Sequence, residues 1–244
     1  RGFDLSGYIA GRLEAALAHV RALTGRKPAL VGYCMGGQLA LALALRRRAE
    51  VASLTLLATP WDFHADRPEL SRALARSIAS FMPAIEGMGE MPVDVLQALF
   101  LALDPFLAAR KFQAFARLDP TGPKAIEFVA LEDWLNDGVP LVARVARECI
   151  LGWYGDNTPG RGEWRVQGRA VLPERLDLPT LVVVPEQDRI VPPASAGALA
   201  RAIPGARVLT PPLGHIGMVV GGRARDLLWS PLAHWLAEGP AARL

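Results

Sequence analysis

Residues 30–37 read Leu30-Val31-Gly32-Tyr33-Cys34-Met35-Gly36-Gly37. They close an apolar run that starts at Pro28 and open a run of small and apolar residues that reaches Leu45. The first run reads as a short buried strand and the second as a helix over about residues 35–48, so Cys34 falls on a strand-to-helix turn. A nucleophile on such a turn sits in a strained backbone with neighbours packed close, and Gly32 and Gly36 are read as the residues that leave room. The turn also puts the side chain at a helix N-terminus, where the dipole favours a thiolate. It aims the backbone N–H of Met35 at a developing oxyanion.

Working outward, Asp4 or Ser6 can cap a helix that runs to Thr24 and is stopped by Gly25. Strands are expected at residues 28–33, 51–58, 179–185 and 206–210. Helices are expected at 68–81, 92–103, 105–117, 122–135, 138–151, 194–202 and 223–237. Strands alternating with helices predict an α/β fold with a mostly parallel sheet flanked by helices. Residues 1–60 then form the N-terminal part of the core with the nucleophile turn, 61–176 a helical cap insertion, and 177–244 the C-terminal part of the core.

The chain has 244 residues, 51 % apolar and 21 % charged, which excludes a disordered or fibrous protein. The most apolar segment, residues 93–109, is broken by Asp94, Gln97 and Asp104, so no membrane span is expected. Two cysteines, Cys34 and Cys149, are too few for a disulfide scaffold and point to a reducing cytoplasm. The net charge of +3 is scattered, and its one compact basic run, Arg46-Arg47-Arg48, ends a helix where cations suit the dipole. Nucleic acid is therefore not an expected partner. The four histidines have no partner at ligand spacing, so neither a metal nor a bound cofactor is implied.

A nucleophile needs a base, and the base an orienting acid. With the nucleophile on a strand-to-helix turn, the chain order is nucleophile, acid, histidine. His64, His215 and His234 follow Cys34. His64 precedes every acid of the late strand, and His234 lies inside the last helix, where packing or exposure explains it. His215, in the loop Pro212-Leu213-Gly214-His215-Ile216-Gly217, is the expected base. Asp188, just past the strand at 179–185, is the expected acid, with Glu186 its near rival. Asp62 is a more distant rival that reads equally as a turn-capping residue, and Cys149 reads as a packing residue.

These residues resemble the polyhydroxyalkanoate synthases, the PhaC-like branch of the α/β-hydrolase fold. Gly32-Tyr33-Cys34-Met35-Gly36-Gly37 is similar to that family's lipase-like box with cysteine. Trp61-Asp62-Phe63, Asp133-Trp134-Leu135-Asn136-Asp137 and Gly162-Glu163-Trp164-Arg165-Val166-Gln167-Gly168 resemble its later elements. Asp188-Arg189-Ile190-Val191-Pro192 is similar to its acid motif, and Gly214-His215-Ile216 to its histidine motif. The chain departs from the family at Pro193, where Trp is common, and over Gly217-Met218-Val219-Val220-Gly221-Gly222. Dienelactone hydrolases share the Gly-Tyr-Cys-x-Gly-Gly box but have no large cap; here 154 residues separate Cys34 from Asp188.

The resemblance implies an acyltransferase that forms an acyl thioester on Cys34 from 3-hydroxyacyl-coenzyme A, with Asp188 and His215 completing the triad. Exchange of one thioester for another is nearly thermoneutral, which suits a cysteine to onward transfer. The alternatives are a hydrolase with the same triad (esterase, thioesterase, lactone hydrolase or polyester depolymerase) and a non-catalytic granule-associated or partner-binding protein. The partners implied are an acyl-CoA or ester substrate and a polyester granule, with a homodimer left open. Only 33 residues precede Cys34, so the fold is expected to lack its N-terminal strands and one of two oxyanion donors.

Overall fold

The computed structural model describes residues 2–103 and 106–238. Arg1, Asp104 and the expected helix start at Pro105 lie outside the described residues. The chain opens with a wide π-helical stretch, Gly7–Leu13, that continues as α1 (Glu14–Thr24). Asp4 caps this stretch: its Oδ1 accepts the Gly7 N–H at 2.6 Å. Ser6, the other expected cap, instead accepts the Gln167 N–H. Gly25 ends α1 with φ of 66°, a left-handed conformation that glycine adopts without a Cβ clash.

Next come β1 (Ala29–Tyr33), α2 (Met35–Arg46) and β2 (Ser53–Leu57). Between β2 and the next long strand lie α3 (Pro68–Ala79), α4 (Met82–Met88), β3 (Glu90–Met91), α5 (Val93–Leu103), α6 (Leu107–Phe115) and α7 (Pro123–Asn136). They are followed by β4 (Leu141–Val142), α8 (Ala143–Arg147), a π-helical stretch Glu148–Gly155, and β5 (Arg165–Val166) with β6 (Arg169–Ala170). The chain then forms β7 (Thr180–Val183), α9 (Pro193–Ala202), β8 (Arg207–Leu209), α10 (Gly217–Val220) and α11 (Ser230–Glu238).

One parallel sheet runs in the order β1-β2-β7-β8. Tyr33 lies beside Leu57, Leu57 beside Val183, and Val183 beside Leu209, so all four carboxyl ends share one edge. The central strands are mostly apolar because both faces are covered, with Thr55 and Thr180 buried among their Leu and Val residues. Leu54, Leu56 and Val182 join the core of one face with Leu17, Ala40–Ala44 and Leu199. Leu57, Leu181 and Val183 join Met218, Leu228, Leu232 and Trp235 on the other. This is the doubly covered α/β sheet the alternation predicts, and β1 is an edge strand, with Val31 45 % exposed.

The span 61–176 divides between two cores. Ala75, Ile78, Met82, Ile85, Met91, Ala143, Ala146 and Ile150 pack together as a core of their own. Val145, Cys149, Trp153, Trp164, Val166, Val171 and Leu176 pack into the core of the main sheet.

The single helix expected over 138–151 is corrected. Pro140 disfavours helix at the residue before it, and Leu141–Val142 pair antiparallel with Glu90–Met91 before the chain turns helical. Helix α4 was not expected, yet its signals are ordinary: Pro83 at the start and Gly89, with φ of 79°, at the end. The β5–β6 hairpin turns on Gln167 and Gly168, both at positive φ, the conformation a two-residue turn of this hand requires. Among the described residues no helix is long and apolar enough to cross a membrane. The basic run is absorbed locally: Arg46 pairs with Glu14, Arg47 with Glu14 and Glu50, and Arg48 with Asp177.

Candidate active site

The loops at the carboxyl edge of a parallel sheet are where such folds hold ligands. Four of them meet here. Cys34 follows β1 directly and is the residue before α2, with φ of 53° and ψ of −128°. A non-glycine residue at positive φ is strained unless its surroundings hold it. Here the Cys34 N–H donates to Leu57 O at 2.8 Å and Cys34 O accepts the Gly37 N–H at 2.9 Å. Cys34 is half-buried, and Met35 opens α2, where first-turn N–H groups have no partner within the helix.

Gly32 does allow the close approach. A Cβ there would lie 2.5 Å from Gly37 Cα and 2.6 Å from Gly36 O. Gly36 is corrected: a Cβ there would meet nothing within 4 Å. The second indispensable glycine is Gly37, whose Cβ would fall 1.9 Å from Thr59 Oγ1. Gly32→Ala is therefore expected to lower stability by about 3 kcal/mol through overpacking against backbone. Gly36→Ala is expected to be neutral or stabilising by up to about 1 kcal/mol through helix propensity. Urea unfolding of the two variants checks the contrast.

His215, on the loop after β8, is 7 % exposed, and its Nδ1 lies 2.6 Å from Asp188 Oδ2. A carboxylate only accepts, so Nδ1 carries the proton and donates, leaving Nε2 for Cys34. Asp188 is held on the loop after β7: its Oδ1 accepts the N–H groups of Ile190 at 2.9 Å and Val191 at 2.8 Å. Burial pulls the imidazole pKa down. The hydrogen bonds to Asp188 and to Cys34, with negative charge at both, push it up to about 9 on balance. Tyr33 fixes the ring from the other side, stacked at 4.8 Å between centroids, with its hydroxyl donating to His215 O at 3.0 Å. Burial, then the negative charge of Cys34 and Asp188, pushes the Tyr33 phenol up and keeps it a neutral donor.

The rival residues lie elsewhere. Glu186 is exposed. Asp62 caps a turn, its Oδ1 accepting the His64 N–H at 2.9 Å and the Asn157 amide at 2.8 Å. His64 has Nε2 against Tyr154 O at 3.0 Å, and His234 is exposed on α11. Cys149 is a buried core residue whose thiol burial pushes up, yet it shares a cavity with Cys34.

That cavity, of about 120 Å³, is lined mainly by apolar groups that include Met35, Phe63, Leu99, Ile150, Trp153 and Val191. Gln38 lines it too and was missed from sequence. Its signal was present: Gln38 is the one polar side chain between Met35 and Leu45. A wider cleft of about 560 Å³ opens beside His215, lined also by Arg110, Asp188, Arg189 and Ile216 among others. Among the described residues no group of three or more His, Cys, Asp or Glu could hold a metal ion.

Residues 1–227 match the family described as "Alpha/beta hydrolase family". A poly(3-hydroxyalkanoate) polymerase subunit PhaC from Synechocystis is 28 % identical over 98 % of this chain and 65 % of its own length. The PhaC subunit of Haloferax mediterranei is 26 % identical over 96 % of this chain and 48 % of its own. That of Allochromatium vinosum is 29 % identical over 98 % and 68 %. The chain thus spans about half to two thirds of the curated relatives it matches. Among solved structures, a Paleococcus ferrophilus monoacylglycerol lipase superposes with a TM-score of 0.58 at 14 % identity, over 96 % of this chain and 75 % of that one. A Thermogutta terrifontis esterase superposes at 0.54 with 22 % identity, over 96 % and 72 %. These two share the fold.

Proposed function

We propose, from the premise that this chain belongs to the alpha/beta hydrolase family, that it is a PhaC-like acyltransferase that moves 3-hydroxyacyl groups from coenzyme A through a thioester on Cys34. The observation that carries the reading is a buried His215–Asp188 pair at 2.6 Å with its free nitrogen turned to a cysteine on a strained strand-to-helix turn.

In this mechanism the proton shared between Cys34 and His215 rests on His215 Nε2, and the Sγ it leaves behind attacks the thioester carbonyl carbon. The Met35 N–H receives the oxyanion. The C–S bond to coenzyme A breaks, and the departing thiolate takes the proton back from His215. A second 3-hydroxyacyl-CoA then gives its hydroxyl proton to His215, and its oxygen attacks the Cys34 thioester carbonyl; the C–S bond to Cys34 breaks, Cys34 takes the proton back, and the ester-linked dimer is left on coenzyme A. Cys34 then attacks that dimer's own thioester as in the first step, so the lengthened chain returns to Cys34 and coenzyme A leaves. Asp188 keeps the imidazole in the tautomer that can accept at Nε2. Within residues 61–176, the part that packs as a core of its own serves as the cap: Leu96, Leu99 and Leu141 close the apolar cavity beside Cys34 and keep out the water that would hydrolyse the thioester.

Intact-mass spectrometry of the protein mixed with 3-hydroxybutyryl-CoA tests the reading. An adduct on Cys34 that grows in steps of one acyl unit is expected. A single transient adduct with free acid accumulating makes the protein a hydrolase with the same residues and water as acceptor.

A further inference from the structure

Gln38 stands one helical turn beyond Cys34. Cys34 is the residue before α2, and Gln38 lies in the first turn of that helix, four positions on. Gln38 is 0 % exposed, and neither Nε2 nor Oε1 has a hydrogen-bond partner among the described residues. It lines the same cavity as Cys34, and the walls there are Leu, Ile, Val, Met and aromatic side chains. The indole N–H of Trp153, another lining residue, is also buried without a partner. A buried amide with nothing to bond is costly, so such a group in a native core calls for an explanation. An apolar pocket with a few convergent polar groups is the pattern of a ligand site in which those groups set orientation and specificity.

The cavity suits a particular ligand group. From a thioester sulfur to an oxygen on the third carbon of the acyl chain there are four bonds, a short reach within a cavity that Cys34 and Gln38 both line. A cavity of about 120 Å³ has the volume of roughly four waters, room for a short acyl chain. We infer that Gln38 is the specificity-determining residue of this pocket: its amide bonds the 3-hydroxyl of a short acyl group carried on Cys34. An amide both donates and accepts, and so does a hydroxyl, so one substrate group satisfies both orphaned atoms. The inference rests on the proposal that Cys34 is acylated.

The test compares 3-hydroxybutyryl and butyryl donors, each as the CoA thioester and as the 4-nitrophenyl ester, with the protein and Gln38→Met. Methionine keeps the length and removes the polar atoms. In the variant, kcat/KM for the hydroxylated donor is expected to fall about 30-fold, because its hydroxyl is then buried unpaired. For the butyryl donor it is expected to rise about threefold, because an apolar chain then meets an apolar wall. Equal changes for both donors, or an unmoved ratio, overturn the inference. If the nitrophenyl esters show the altered ratio while the CoA thioesters do not react, the role of Gln38 stands and the acyl-CoA reading fails. If the CoA thioesters react and the ratio does not move, the reverse holds. Thermal melting reads the same point without turnover. Replacing an unpartnered buried amide with an apolar side chain is expected to raise Tm by about 3 °C, and a fall in Tm overturns the inference.

Discussion

Cys34→Ala is expected to lower kcat/KM for 3-hydroxybutyryl-CoA by about 10⁵-fold while leaving the urea unfolding midpoint where it was. The two halves of this expectation have separate causes. Alanine keeps the Cβ and the same positive φ, so the turn and its hydrogen bonds to Leu57 and Gly37 are untouched. What is lost is the atom that forms the bond. The rate that remains comes from the Met35 N–H and the pocket alone, as it does when the nucleophile of other acyl-transfer triads is removed. Thioester absorbance, followed with time, measures the rate without a thiol reagent that would consume Cys34 itself. Cys34→Ser extends the argument: a hydroxyl is the weaker nucleophile at neutral pH, and its oxygen ester no longer stores the thioester's free energy for onward transfer. That variant is expected to acylate slowly and stall with one unit attached. An unchanged rate in the alanine variant overturns Cys34 as the nucleophile, and no turnover in the parent protein or the variant moves the protein to the third reading, a non-catalytic, partner-binding member of the fold.

How far the sequence carries this argument differs from residue to residue. Strand β7 was legible because Thr180–Val183 is buried on both faces and so reads as an apolar run between prolines. Asp188 was legible because an acidic residue just past such a strand can take the N–H groups of the next turn, as it does with Ile190 and Val191. Gly32 was legible, but the choice between Gly36 and Gly37 was not. Both follow Cys34 on the same turn, and only the position of Thr59, at the end of another strand, decides which one lacks space. The β3–β4 pairing joins residues some fifty apart and involves two residues on each side, too few for a periodic pattern to form. Gln38 carried a plain signal, one amide in a helix of small and apolar residues, but its meaning depends on what surrounds it. A polar residue on an exposed helix face is ordinary; the same residue at 0 % exposure with both atoms unpaired is not.

Asp188→Asn is expected to cost about 10⁴-fold in kcat, with the fold retained. Asparagine still has an Oδ1 to accept the Ile190 and Val191 N–H groups, so the loop stays in place. Its NH₂ would then face His215 Nδ1. A donor opposite Nδ1 favours the tautomer with the proton on Nε2, and that nitrogen can no longer take the proton of Cys34. The same substitution is expected to change how stability depends on pH. In the parent protein the His215 pKa stands at about 9, above its ordinary 6.5, so the native state holds this proton more tightly than the unfolded chain does. The stabilisation it provides is complete below about pH 6.5 and is lost as pH rises to about 9. Removing the carboxylate removes the first of the causes that raise the pKa, so the fall in Tm between pH 6.5 and 9 is expected to be shallower in the variant. A rate defect with an unaltered melting profile would mean that Asp188 orients His215 without holding its charge. An altered profile with a near-normal rate would mean that the pair at 2.6 Å serves the fold and that the base acting on Cys34 lies elsewhere.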